Sequence, residues 1–70
     1  MTHRKVLGEN LRSLRLAKGL TQEQLARKSK VTSDYISMLE HARANVGLDN
    51  LIKIARALKT PLAELIKGCD

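Results

Sequence analysis

The stretch LTQEQLARKSKVTSDYISMLE, residues 20–40, has the pattern of two short helices joined by a tight turn. The first helix is predicted at about residues 22–28 and the second at about residues 33–41. Thr21 and Thr32 each stand just before a polar first turn. A threonine side chain in that place can accept a hydrogen bond from a free backbone N–H, so both residues are predicted to cap a helix.

Two further features of this stretch concern the start of the first helix and the turn that follows it. Thr21 and Gln24 have the three-residue spacing of a capping box. The turn Ser29-Lys30-Val31 contains no glycine, although turns of this kind often do. Lys30 is therefore expected to adopt a positive φ at some cost in strain.

The apolar residues of the stretch suit one inward face that spans both helices and the turn. They are Leu20, Leu25, Ala26, Val31, Ile36 and Leu39. The outer face of the second helix is left with mainly small and polar side chains, namely Ser33, Asp34, Ser37, Met38 and His41. Because the major groove of DNA admits a whole α-helix, a short helix with such an outer face is predicted to enter it.

The flanking sequence predicts three more helices. Leu7, Leu11 and Leu14 recur at helical spacing in a helix over about residues 5–18, which Gly19 ends. A helix over about 48–58 has its buried stripe at Leu48, Leu51, Ile54, Ala55 and Leu58. Thr60 is predicted as the N-cap of a last helix, with Pro61 at its first position and its end near residue 67. The expected fold is all-α, a compact five-helix bundle, with residues 1–70 forming one domain.

The charge of the chain favours an anionic partner. The 70 residues carry a net charge of +6, and the sequence pI is about 10.0. DNA, RNA, an acidic protein or a membrane surface would each suit this charge, and simple solubility is the competing interpretation. Cys69 is the single cysteine, so no internal disulfide is expected. The sequence has no apolar run of membrane-spanning length and no signal-peptide pattern, so a cytoplasmic protein without a membrane partner is predicted.

Three motifs, taken together, resemble the Cro/C1-type (Xre-like) helix-turn-helix proteins, which include phage repressors and restriction–modification controller proteins. The motifs are LRSLRLAKGLTQEQLARKSKV, TSDYISMLEHAR and LDNLIKIARALKTPLAEL. The resemblance implies a bundle of the lambda-repressor-like type, with its helix-turn-helix at about 21–41. It also implies a sequence-specific transcriptional regulator that binds double-stranded DNA, as a homodimer on a two-fold symmetric operator. Two positions depart from the family pattern: Ala42 replaces a common glycine, and Val46-Gly47 replaces a proline.

The resemblance also assigns roles to individual residues. Base readout is expected from Ser33, Asp34, Ser37 and Met38, and phosphate contact from Gln22, Tyr35, Arg43 and Asn45. Phosphate contact is also expected at Thr32, because the N-terminus of a helix favours an anion. Arg15 and Glu40 match a pair that ties the first helix to the third. Two of these residues have competing roles, because Asp34 could instead stabilise the positive end of its helix and Met38 could shield the edge of the core.

A dimer seam is predicted on the last helix and the adjoining end of the fourth. Its residues are Ile52, Leu62, Leu65 and Ile66. In the alternative interpretation, Leu62 and Leu65 only complete the core of one molecule and Ile66 is a solitary exposed residue.

An enzyme is not expected. His3, His41 and Cys69 have no metal-ligand spacing, and the sequence contains no catalytic constellation, so neither a metal nor another cofactor is predicted. Among regulators, a restriction–modification controller protein is one specific form. An antitoxin-type module that binds DNA and an unidentified protein partner is the alternative from a different class. RNA binding is disfavoured, because Tyr35 is the only aromatic side chain available for base stacking.

Overall fold

The structure is a computed structural model that describes residues 3–69. Within that range it contains five helices and no strand: α1 His3–Ala17, α2 Gln22–Ser29, α3 Ser33–Glu40, α4 Leu48–Leu58 and α5 Leu62–Leu65. α3 packs on α1 and α2, α4 packs on α2, and α5 packs on α1 and α4. The predicted five-helix bundle is confirmed, and α3 is the helix that the sequence pattern predicted to be exposed to DNA.

The ends of α2 and α3 are fixed by the threonines that the sequence indicated. Thr21 Oγ1 accepts from the backbone N–H of Gln24 at 3.0 Å, and Gln24 Oε1 accepts from the N–H of Thr21 at 2.9 Å, which completes the capping box. Thr32 Oγ1 accepts from the N–H of Tyr35 at 3.1 Å. Lys30 has φ 58° and ψ 42°, so the expected positive φ in the turn is confirmed.

The core lies where the inward faces of all five helices meet. Its buried apolar residues are Leu11, Leu25, Ala26, Ile36, Leu39, Ile54, Ala55, Leu58 and Leu65. Leu48 does not join them, although the sequence pattern placed it on the buried stripe of α4. As the first residue of α4 it lies at the edge of the bundle, and 65% of it is exposed.

α5 is shorter than predicted and begins one residue later. Pro61, not Thr60, occupies the N-cap position, with φ −62° and ψ 146°. Its extended backbone lies outside the helix, and its carbonyl accepts from the N–H of Glu64 at 3.0 Å. The helix ends at Leu65, and Asn10 Nδ2 from α1 donates to the carbonyls of Leu65 at 2.9 Å and of Lys67 at 2.8 Å. This cross-link supplies partners for carbonyls that another helical turn would otherwise have to satisfy.

Candidate nucleic-acid interface

The outer face of α3 remains open in the folded chain. Ser33 and Ser37 are half-buried and Asp34 is exposed. Met38 is 42% exposed. Ile36 and Leu39, on the opposite side of the same helix, are buried in the core. α3 is therefore anchored by its apolar side and presents the four residues predicted for base readout on its other side.

A buried ion pair anchors the end of α3 to α1. Arg15 Nε donates to Glu40 Oε2 at 2.7 Å, and the Arg15 side-chain nitrogen Nη2 donates to Glu40 Oε1 at 3.2 Å. The two side chains are only 9% and 2% exposed. Arg15 Nη1 also donates to the carbonyl of Leu20 at 2.7 Å, which ties in the start of the helix-turn-helix. The pair anticipated between these residues is present, and it connects three segments of the chain.

Gln22 belongs to the same network. Its Nε2 donates to Glu40 Oε1 at 3.1 Å, and the side chain is half-buried at the first position of α2. A side-chain amide carries two N–H donors and one carbonyl acceptor. One donor is therefore held by Glu40, which leaves the second N–H for another acceptor such as a phosphate oxygen.

The hydroxyl of the half-buried Tyr35 has two partners within the molecule. The hydroxyl donates to the carbonyl of Asn45 at 3.3 Å and accepts from Asn50 Nδ2 at 3.3 Å. These contacts join α3 to the following loop and to α4. A phosphate contact from this hydroxyl would have to displace the Asn45 carbonyl, so the phosphate role of Tyr35 stays a prediction with a competing internal partner.

Three other candidates for phosphate contact lie at the two ends of α3. Thr32 is exposed at the N-cap, where its Oγ1 accepts from the backbone and its O–H proton remains able to donate. Arg43 and Asn45 are exposed in the loop after α3. The loop leaves the helix through Ala42, whose φ of 59° is the left-handed conformation that the glycine common at this place in the family adopts easily.

Comparison with known proteins identifies this arrangement. The helix-turn-helix family model matches residues 11–65, which is more than three quarters of the chain. The chain belongs to the helix-turn-helix family. The HTH-type transcriptional regulator y4dJ of Sinorhizobium fredii is 39% identical over 70 residues, covering 100% of this chain and 91% of that protein.

Solved structures of helix-turn-helix proteins agree with this membership. The restriction–modification controller protein C.AhdI from Aeromonas hydrophila is 42% identical, with a TM-score of 0.87 over 89% of this chain and 94% of the other. The P22 c2 repressor, solved in complex with a synthetic operator, is 27% identical, with a TM-score of 0.82 over 89% of this chain and 94% of the other. The resemblance to Cro/C1-type proteins is confirmed. The family is one of DNA-binding transcription regulators rather than enzymes.

Arg12 was not assigned a role from the sequence, and His41 was placed on the outer face of the second helix of the helix-turn-helix without a specific contact. Arg12 on α1 and His41 at the C-cap of α3 line a cleft of about 240 Å³ together with Arg15, Gln22 and Glu40. The sequence held one signal for His41, since it follows Ser33 and Ser37 at four-residue intervals and so continues their stripe. Nothing in the spacing of Arg12 connects it to α3, because their proximity arises only from the packing of α1 on α3.

The predicted dimer seam needs one correction. Leu65 has 0% exposure in the single molecule, so it is a core residue and cannot touch a second copy directly. Ile52 and Leu62 are half-buried, while Ile66 is 44% exposed. Ile66 lines an apolar groove of about 460 Å³ with Val46 and Leu51. Of the predicted seam, Ile66 is therefore open at this groove, and Ile52 and Leu62 are partly accessible elsewhere.

Among residues 3–69, no group of three or more His, Cys, Asp or Glu side chains could hold a metal ion. Over the same residues, no helix has both the length and the apolar character needed to cross a membrane.

Proposed function

We propose that this chain is a sequence-specific DNA-binding transcriptional regulator, and that residues 1–70 form its single helix-turn-helix domain. α3 is the recognition helix and lies in the major groove. The observation that carries the proposal is the two-sided construction of α3, whose Ile36 and Leu39 are buried while Ser33, Ser37 and Met38 face outward. A regulator of this kind works where the DNA is, in the cytoplasm of a bacterial or phage-infected cell.

Phosphate contacts supply the affinity in this proposal and fix the register of α3. Thr32 and Gln22 lie at the starts of α3 and α2, where free N–H groups and the positive end of the helix dipole favour an anion. Arg43 and Asn45 are exposed beyond the other end of α3. In this proposal they contact the DNA backbone on that side of the major groove. These contacts position the protein without reading sequence.

In this proposal the bases are read by short side chains. The hydroxyls of Ser33 and Ser37 can bond to several bases, Asp34 can accept from a cytosine amino group, and Met38 can contact a thymine methyl group. None of these residues makes the bidentate contacts that Arg, Asn and Gln make to guanine and adenine. We therefore expect a substantial part of the specificity to come from DNA shape and bridging water.

Homodimerisation completes the proposal, since one recognition helix covers only a few base pairs. A two-fold dimer places its two recognition helices in successive major grooves about 34 Å apart. The residues proposed for pairing are Ile52, Leu62 and Ile66, of which Ile66 is exposed and the other two are half-buried.

A controller protein of a restriction–modification system is the more specific form of this function. It is supported by the likeness to C.AhdI, which extends over 94% of that protein. A neighbouring restriction or methylase gene would favour this form, and a neighbouring small toxic protein would favour an antitoxin-type module with a protein partner.

The function is tested by selecting bound duplexes from a random pool at physiological salt. We expect recovery of an inverted repeat whose half-site centres lie about 10 base pairs apart. Recovery of unrelated sequences without any repeat would contradict a sequence-specific dimeric regulator.

A further inference from the structure

The cleft between α1, the start of α2 and the end of α3 is rich in N–H donors. Its lining residues are Arg12, Arg15, Gln22, Glu40 and His41, and its volume is about 240 Å³. This is room for roughly eight water molecules at about 30 Å³ each, and therefore for a phosphodiester group.

The carboxylate in this lining does not repel an anion strongly. Both oxygens of Glu40 are already engaged, Oε2 with Arg15 and Oε1 with Arg15 and Gln22. The charges of Arg15 and Glu40 cancel at short range. Arg12 is exposed and adds a positive charge that the internal pair does not neutralise, so the cleft favours an anion even when His41 is neutral.

The contact made by His41 fixes which ring nitrogen carries the proton. Nδ1 lies 2.8 Å from the carbonyl oxygen of Ser37. A carbonyl oxygen can only accept, so Nδ1 must be the donor and Nε2 has no proton in the neutral ring. The neutral ring therefore offers a lone pair at Nε2, whereas the protonated ring offers a second N–H donor there.

We infer that this cleft binds a DNA phosphate through Arg12, Gln22 and His41, and that DNA binding is accompanied by protonation of His41. The inference rests on the proposed function and adds two residues to it. Ser33, Ser37 and His41 form one stripe that spans about 12 Å along the helix axis. His41 lies one turn beyond Ser37 and lines the cleft with Arg12 of α1, so a helix that reads bases through Ser33 and Ser37 carries this cleft towards the neighbouring phosphates.

The charges around His41 set the sign of the effect. The charged groups that line the cleft with it are Arg12 and Arg15 on α1, which are positive, and Glu40 on α3, which is negative. The C-terminal end of α3 also favours the cation. Adding a phosphate to the cleft tips this balance towards the protonated ring. Affinity for DNA is therefore expected to rise as pH falls through the range in which histidine changes charge.

The pH dependence is measured by fluorescence anisotropy with two duplexes of about 20 base pairs, one carrying the selected repeat and one unrelated sequence. Both are used because a phosphate contact is independent of sequence. At constant salt, between about pH 5 and 8, the association constant of the wild type is expected to rise by up to about tenfold for each unit that the pH falls, the limit for uptake of one proton. His41→Gln is expected to lose this dependence. His3→Gln, at the start of α1, is the matched control and should retain it.

The role of Arg12 is measured by the salt dependence of the same binding. Arg12→Gln is expected to reduce the slope of log K against log salt by about 0.9, the value for one phosphate contact. Arg56→Gln removes another exposed arginine, from α4, and is expected to leave the slope unchanged. An NMR titration of the wild-type His41 ring, free and bound, gives an independent readout. Its midpoint should lie at higher pH in the complex.

The outcomes separate this inference from the function on which it rests. If both duplexes bind with an affinity that does not change with pH, if His41→Gln keeps the wild-type pH dependence, or if Arg12→Gln keeps the wild-type salt slope, the phosphate cleft is wrong and the regulator stands. If neither duplex binds at any pH, the proposed function fails together with the cleft.

Discussion

A β-carbon placed on Gly8 of α1 would stand 2.5 Å from the carbonyl oxygen of Leu39 in α3. It would also stand 2.8 Å from the carbonyl oxygen of Glu40. Both neighbours are backbone atoms, which cannot rotate away as a flexible side chain can. Gly8 therefore allows α1 to approach the end of the recognition helix, at the residue that forms the buried pair with Arg15.

Gly8→Ala is expected to destabilise the protein by about 1–3 kcal/mol, the usual cost of overpacking. In an exposed helix interior the same change would be stabilising by about 1 kcal/mol, so the sign of the effect reports the close approach. Thermal unfolding measures this effect. The melting temperature is expected to fall by about 4–8 °C for each kcal/mol lost in a domain of this size. Ser13→Ala, at an exposed position of the same helix, is the control and should change stability by less than about 0.5 kcal/mol. Equal melting temperatures for the two variants would show that α1 and α3 are not in tight contact.

Glu40→Ala is expected to lower the free energy of unfolding by about 3–5 kcal/mol, because it leaves the buried Arg15 without a partner. It should also weaken DNA binding, since Gln22 loses the acceptor that orients its amide. Glu9→Ala, at an exposed position of α1, is the control and should change stability by less than about 0.5 kcal/mol. Chemical denaturation measures both variants. A Glu40→Ala protein as stable as the wild type would mean that the pair contributes nothing to holding α3.

Lys30→Gly is expected to stabilise the protein by about 1 kcal/mol, because φ 58° is unfavourable for a residue with a β-carbon. Lys28→Gly removes a similar exposed lysine from within α2 and should instead destabilise by about 1 kcal/mol. Thermal unfolding of the two variants gives the comparison. A loss of stability in both would argue against strain at Lys30.

Ile66→Asp is expected to convert the proposed dimer into a monomer without unfolding it, because Ile66 is exposed in the single molecule and an aspartate there would be desolvated in the seam. Leu16→Asp alters another exposed apolar residue, on α1, and is expected to leave the dimer intact. Sedimentation at micromolar concentration measures the assembly. A wild-type protein that sediments only as a monomer would exclude the dimer at that concentration.

Local signals in the sequence were sufficient to predict most of the fold. Thr21, Thr32 and Lys30 each act through backbone groups within a few residues, so their roles follow from spacing alone. α5 shows where such signals fail. Its last carbonyl is bonded by Asn10, which reaches it from α1 across more than fifty residues of sequence. Contacts of that range depend on how helices pack, which no local pattern encodes.

The candidate site likewise has one part that local sequence signals predict and one part that they do not. The outer face of α3 was predictable, because helical periodicity separates Ser33 and Ser37 from Ile36 and Leu39. The cleft was not predictable from the sequence, because it joins Arg12 of α1 to His41 at the end of α3. Leu65 was misassigned for a related reason: periodicity identifies an apolar face but does not say whether the same chain or a second copy covers it.

The most direct test of the account is an NMR titration of the labelled protein with a duplex that it selects. The resonances of Ser33, Ser37 and the Met38 methyl group are predicted to shift more than those of Leu48 and Ile66, which are not among the residues predicted to contact DNA. Large shifts at Leu48 and Ile66 with an unperturbed α3 would contradict the proposal that α3 enters the major groove.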